Sequence, residues 1–173
     1  MSEYREKLLK EINITKRVEN LSKCEWIDIS RNKRLTEEFI REFQDEVSWI
    51  DISTVPISLE FIREFQDKVK WYNICQYQIL TEDFIREFQD RMFWDYISTN
   101  QDVSDEFLLE FKDNIHWSWY FKDRKISFWL IKNLILKRKL KKIDYNELNI
   151  KHLTDIQKMD IQKMLTMKQI FVS

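Results

Sequence analysis

The sequence predicts an all-α fold: an α-solenoid of about five short helix-pair repeats with helical caps. Three observations carry that expectation. Trp26, Trp49, Trp71, Trp94 and Trp117 recur at intervals of 23, 22, 23 and 23 residues, and a fixed period in this range marks a repeat architecture. The text around them repeats as well, in LTEEFIREFQDEVSWIDIS, ISLEFIREFQDKVKWYNIC, LTEDFIREFQDRMFWDYIS and VSDEFLLEFKDNIHWSWYF. Within each unit Phe39, Phe43 and Val47, or their equivalents, stand at i, i+4 and i+8, which is helical spacing.

Residues 1–20 are expected to form an N-terminal cap, 21–143 the helical-repeat array and 144–173 a C-terminal helical cap. The array opens with a decayed unit, INITKRVENLSKCEWIDIS, as terminal repeats often do. Each following unit starts at Thr36, Ser58, Thr81 or Ser104, which are N-cap residues followed by acids that favour the positive helix end. Leu35 with Ile40, Ile57 with Ile62, Leu80 with Ile85 and Val103 with Leu108 stand where a hydrophobic staple places its two members. Past Asp45 the apolar face changes, so Trp49 and Ile52 begin a second, shorter helix. Asp45, Asp67, Asp90 and Asp113 then fall at the junction, to cap that helix or to pair with Arg41, Arg63 and Arg86 four residues back. The one short interval reflects a residue lost before Pro56 or Ile57, which puts the connection between units there. A decayed unit, ISFWLIKNLILKRKLKKI, closes the array, with Leu140 standing 23 residues after Trp117. Leu153, Ile156, Met164 and Ile170 then mark a terminal helix that covers the last repeat or docks on another chain. Helices this short are not stable alone, so packing of unit on unit must hold them.

The phrase EFIREFQD, followed by a Trp and a second short helix, resembles the short helical repeats of many uncharacterised proteins of giant DNA viruses, some phages and AT-rich microbes. The resemblance spans about residues 26 to 127. It implies an α-solenoid-like architecture and a viral or AT-rich source, and it brings no activity with it.

Composition excludes several chemistries. The chain of 173 residues has Gly 0 and Pro 1, and it contains no Ala. Gly-rich phosphate loops, dinucleotide fingerprints and nucleophile elbows all need backbone that only Gly allows, so they are ruled out. Slot comparison between repeats removes other candidates. Cys24 occupies the position of Val47, Val69, Met92 and Ile115 and reads as a small core residue. Cys75 replaces Ser30, Ser53 and Ser98, and His116 replaces Ser48, Lys70 and Phe93. His152 has no Cys, carboxylate or second His at ligand spacing. No cofactor or metal is expected, and the chain is read as a non-enzyme. No run approaches the ~18 apolar residues of a membrane span, and the charged start MSEYREKLLKEI is unlike a signal peptide, so an intracellular, non-secreted protein is expected.

Charge distribution is the strongest functional clue. Residues 37–120 carry a net charge of −12 and residues 121–173 one of +8, although the whole chain stands at −1. Glu42, Glu64, Glu87 and Glu110 recur once per unit as an acidic ladder. Lys137, Arg138, Lys139, Lys141 and Lys142 form a basic pole. These nine residues are the candidate partner-binding set. The leading expectation is a non-enzymatic protein-interaction module, viral structural or host-directed, that binds a protein partner of basic character through an extended repeat surface. The alternative is an inhibitor whose regular carboxylates imitate nucleic-acid phosphates. Direct nucleic-acid binding by the basic pole has no groove-reading motif behind it. Charge polarity also admits head-to-tail self-association.

Overall fold

A computed structural model describes residues 2–136, 151 and 153–170; Leu140, the basic pole at 137–142 and His152 lie outside the described residues. Among the described residues every regular element is helical. In chain order they are α1 (Ser2–Glu11), α2 (Lys23–Ser30), α3 (Glu37–Glu42), α4 (Trp49–Ile52), α5 (Leu59–Glu64), α6 (Trp71–Tyr77) and α7 (Glu82–Glu87), then α8 (Trp94–Asn100), α9 (Asp105–Glu110), α10 (Trp117–Asp123), α11 (Phe128–Leu136) and α12 (Asp155–Ile170). Short 3-10 turns lie at Val18–Asn20 and Gln89–Arg91. The chain divides into two compact units, Met1–Met92 and Phe93–Ser173.

In the first unit the helix starts fall where the capping residues stand. The hydroxyls of Thr36, Ser58 and Thr81 accept from the N–H groups of Phe39, Phe61 and Phe84 at 3.1, 3.1 and 3.2 Å. Ser22 and Glu25 close a capping box on α2. The ends differ from the sequence expectation, because no helix runs through Phe43 to Val47. The chain leaves the helix at Phe43, Phe65 and Phe88, with φ of −107, −109 and −112° and ψ of 27, 28 and 26°. Many helices stop with a left-handed Gly; without Gly these helices turn in the sparsely occupied bridge region. Val47 still reaches the core, its N–H donating to Phe43 O at 3.0 Å across the turn.

The unit core is a file of buried aromatic and branched side chains: Phe39, Ile40, Phe43, Ile52, Phe61, Ile62, Ile74, Phe84 and Ile85. Each Trp lies against the second Phe of the following repeat. The ring centroids are 5.2 Å apart for Trp26 and Phe43, 5.0 Å for Trp49 and Phe65, and 4.9 Å for Trp71 and Phe88. Such tilted pairs add roughly 0.5–1.5 kcal/mol each beyond the area they bury.

The second unit repeats the design and then ends it. Ser104 caps α9 and Ser127 caps α11, accepting from Phe107 N and Leu130 N at 3.2 and 2.9 Å. Trp94 packs on Phe111 at 4.9 Å. Leu109 occupies the slot that Arg41, Arg63 and Arg86 hold in other repeats, and it is buried. It joins Leu108, Ile131, Leu134, Ile135, Leu153 and Ile161 in an apolar cluster shared by α9, α11 and α12. Thr154 and Gln157 form a reciprocal cap on α12. Only part of the expected α12 stripe faces inward. Leu153 is buried and Met164 half-buried, but Ile156 is 74% exposed. Ile161, five residues on and about 140° round the helix from Ile156, packs against the cluster instead.

Candidate functional site

The glutamate ladder is engaged with arginines. In the first unit Arg41 Nε lies 2.9 Å from Glu64 and Arg63 Nε 2.8 Å from Glu87, each pair joining one repeat to the next. Arg5 of α1 does the same for Glu42 at 3.1 Å and reaches Glu46 at 2.6 Å. The same guanidiniums sit over the first or second Phe of the next repeat: Arg5 is 4.5 Å from the Phe43 centroid, Arg41 5.0 Å from Phe61 and Arg63 5.1 Å from Phe84. Each arginine thus covers a core aromatic face and meets a carboxylate at once. Glu110 is exposed at the end of α9, and the five basic residues of the candidate set lie outside the described residues.

Asp45 and Asp67 are paired one repeat further on, not with the arginine four residues back, and Ser48 and Lys70 at the starts of α4 and α6 make no side-chain cap. Asp45 meets Lys68 and Asp67 meets Arg91, both at 3.2 Å and one repeat further on. The reason is competition: Arg41 is already held by Glu37 and Glu64, and Arg63 by Glu60 and Glu87. Asp45 and Asp67 are 85% exposed, against 44 and 45% for Glu64 and Glu87. Asp45 and Asp67 therefore face solvent more fully than the ladder glutamates Glu64 and Glu87 do.

A serine four residues after Trp26, Trp49 and Trp94 does what the second helix lacks in a cap. Ser30 Oγ donates to Trp26 O and accepts from Ser48 N, at 2.6 and 2.8 Å. Ser53 links Trp49 O to Lys70 N, at 2.6 and 2.8 Å, and in the second unit Ser98 links Trp94 O to His116 N, at 2.6 and 3.0 Å. Each hydroxyl satisfies an N–H at the start of the next second helix. Sequence reading missed this role, although the serine recurs with the Trp.

The remaining candidates fall as follows. Cys24 is exposed, contrary to its slot, because α2 begins three residues before Trp26 whereas α4 begins at Trp49 itself; Cys24 sits in an exposed first turn instead of a buried connection. Cys75 is buried, its Sγ 3.7 Å from Met92 Sδ. His116 is exposed and stacks on Trp119 at 4.3 Å between centroids. Among the described residues no group of three His, Cys, Asp or Glu side chains could hold a metal ion, and no helix is long and apolar enough to cross a membrane.

The shifted acidities have local causes. A hydrogen bond to Glu38 pushes the Tyr4 hydroxyl up to about 12. Lys16 and the Ser22 cap hold Glu25 down to about 2. Burial raises Asp51, but hydrogen bonds from Ser48 and Arg31 outweigh it and leave the group below the usual carboxylate range. Burial pushes the Tyr120 hydroxyl up. Ordinary ion pairing, capping and burial account for all four, with no nucleophile and base set against each other.

Comparison with protein-family models, curated proteins and solved structures finds no match to this chain.

Proposed function

We propose that this chain is a non-enzymatic protein-interaction module, an α-solenoid of short helix-pair repeats that offers an extended surface to a basic protein. The observation that carries the reading is a division inside the repeat. Positions that recur are turned to neighbouring repeats: the two Phe, the Trp, the Ser after it and the Arg–Glu pair. The two positions after each Trp behave in the opposite way. Ile27 and Asp28 after Trp26 match Ile50 and Asp51 after Trp49, but from there on the pair changes, through Tyr72 and Asn73, Asp95 and Tyr96, and Ser118 and Trp119. Among them Ile50, Tyr72 and Trp119 are 60, 46 and 49% exposed. A constant scaffold beneath a changing surface is how repeat proteins acquire specific partners.

Charge adds the class of partner. Residues 37–120 carry −12, and Asp45 and Asp67 extend into solvent, so a basic protein is drawn in by the summed field. The likeness of EFIREFQD to viral and phage repeats supports a viral structural or host-directed role inside cells. Capture from a lysate of the source cell, read by quantitative mass spectrometry, tests the proposal. A triple change of Asp45, Asp67 and Asp90 to Lys should release the captured protein while the circular dichroism spectrum stays the same. Unaltered capture would count against the acidic surface. The same exposed aspartates favour one further reading, imitation of nucleic-acid phosphates. It requires the captured protein to bind DNA or RNA and to be displaced by either.

A further inference from the structure

A third of the residues of this chain are charged, 34%, yet one face of the first unit has almost no charge. The stretch 71–81, WYNICQYQILT, is the longest in the chain without Asp, Glu, Lys or Arg, and 52–59, ISTVPISL, is another uncharged run. The fold joins them. Gln78 is buried, and its Nε2 donates to Ser53 O and Val55 O at 3.1 and 2.8 Å. Asn73 Nδ2 donates to Ile50 O at 2.9 Å, which ties α6 to α4. The joined surface presents Ile50, Tyr72, Tyr77 and Ile79, at 60, 46, 55 and 92% exposure. Asp51, the one acid within it, is paired with Arg31 at 2.9 Å and only 16% exposed.

Leaving Ile79 almost wholly in water forgoes the stabilisation of burying a branched side chain, roughly 1.5–3 kcal/mol, so its exposure needs a reason. Charge depletion with tyrosine and aliphatic enrichment is the composition of an interface core, not of a solvated rim. We propose that the face formed by α4, α6 and the connections at 52–59 and 78–80 is a docking surface for a second copy of this chain. Electrostatics selects that occupant. The array is acidic, with −12 over 37–120, so two copies repel where their acidic faces meet. An uncharged patch escapes that repulsion and is complementary to itself, as the commonest two-fold dimers require. The inference rests on reading the chain as an interaction module and names a partner for one of its faces. It stands apart from capture of a basic protein, which uses the aspartates.

Sedimentation velocity of the full chain tests it, from low micromolar to about 100 μM and at low salt and about 0.5 M NaCl. The expected result is a concentration-dependent dimer that persists at high salt. A Tyr77→Glu, Ile79→Glu variant should be monomeric throughout, with its helical signal and melting temperature kept, since both side chains already face water. An Asp45→Lys variant should dimerise like the parent. A parent that stays monomeric at the highest concentration overturns the proposal. So does a dimer that survives the double change, or one that dissolves on adding salt, which would be charge-driven head-to-tail association.

Discussion

Ser53 holds two backbone groups from different repeats with one hydroxyl, bonding Trp49 O and Lys70 N while itself fully buried. Ser53→Ala removes both bonds and leaves the Lys70 N–H without its partner, so it should cost roughly 1–3 kcal/mol in urea unfolding. A surface serine such as Ser118 should change by less than about 0.5 kcal/mol on the same substitution. Glu25 gives a pH signature. Its folded carboxyl is held down to about 2 from an ordinary 4.5 by Lys16 and the Ser22 cap. A depressed acid stabilises the fold above its unfolded value and loses that contribution as the pH falls through the folded value. The melting difference between the parent and Glu25→Gln should therefore be full near neutrality and shrink between pH 4.5 and about 2. A difference that does not change over that window would remove Glu25 from the account.

At the scale of the element, α3, α5 and α7 are six residues each, and α4 is four. Lengths of this kind are far below the ~12–15 residues an isolated helix needs in water. A synthetic peptide of residues 58–77, one complete helix pair, should show a coil-like circular dichroism spectrum. Strong helicity in that peptide would mean that local propensity, not contact with neighbours, makes the helices. The caps were legible in the sequence because a hydroxyl before EEF, LEF, EDF or DEF has only local work to do. The aromatic core was legible because two Phe and a Trp repeat together. The stopping point was not, since a helix that ends at Phe43 looks identical in the text to one that continues to Val47. The long-range roles were hidden for another reason. Arg41 has Glu37 four residues back and Glu64 a repeat away, and it meets both. Spacing along one helix shows only the first of these. Leu109 in an arginine slot was the visible sign that the pattern ends, because it exchanges a charged clamp for an apolar seam against α11 and α12.

In the whole molecule the recurring residues act as internal fasteners, and the proposed function leaves the working surface to residues that vary and to the exposed Asp45 and Asp67. Replacing Trp71 by Ala should then cost about 3 kcal/mol, since it strips a Phe88 contact and the Nε1 bond to Gln66 O at 3.0 Å. The ladder tests the idea more sharply, because its glutamates could be either fastener or surface. Two triple variants separate the roles: Glu42, Glu64 and Glu87 to Lys, and Asp45, Asp67 and Asp90 to Lys. In the first, lysines replace carboxylates beside Arg5, Arg41 and Arg63. With pairs about half-exposed the loss is modest, on the order of 1–2 kcal/mol in total. In the second, partners such as Lys68 and Arg91 are given up at highly exposed aspartates, where pairing contributes little. The deciding measurement is a side-by-side capture of cellular protein by the parent and the two variants, each with its melting temperature. The account predicts that the glutamate variant melts several degrees lower but still captures the same protein at a temperature where it is folded, while the aspartate variant melts like the parent and captures nothing. A glutamate variant that keeps its melting temperature and loses capture would contradict it, and would make the ladder the binding face.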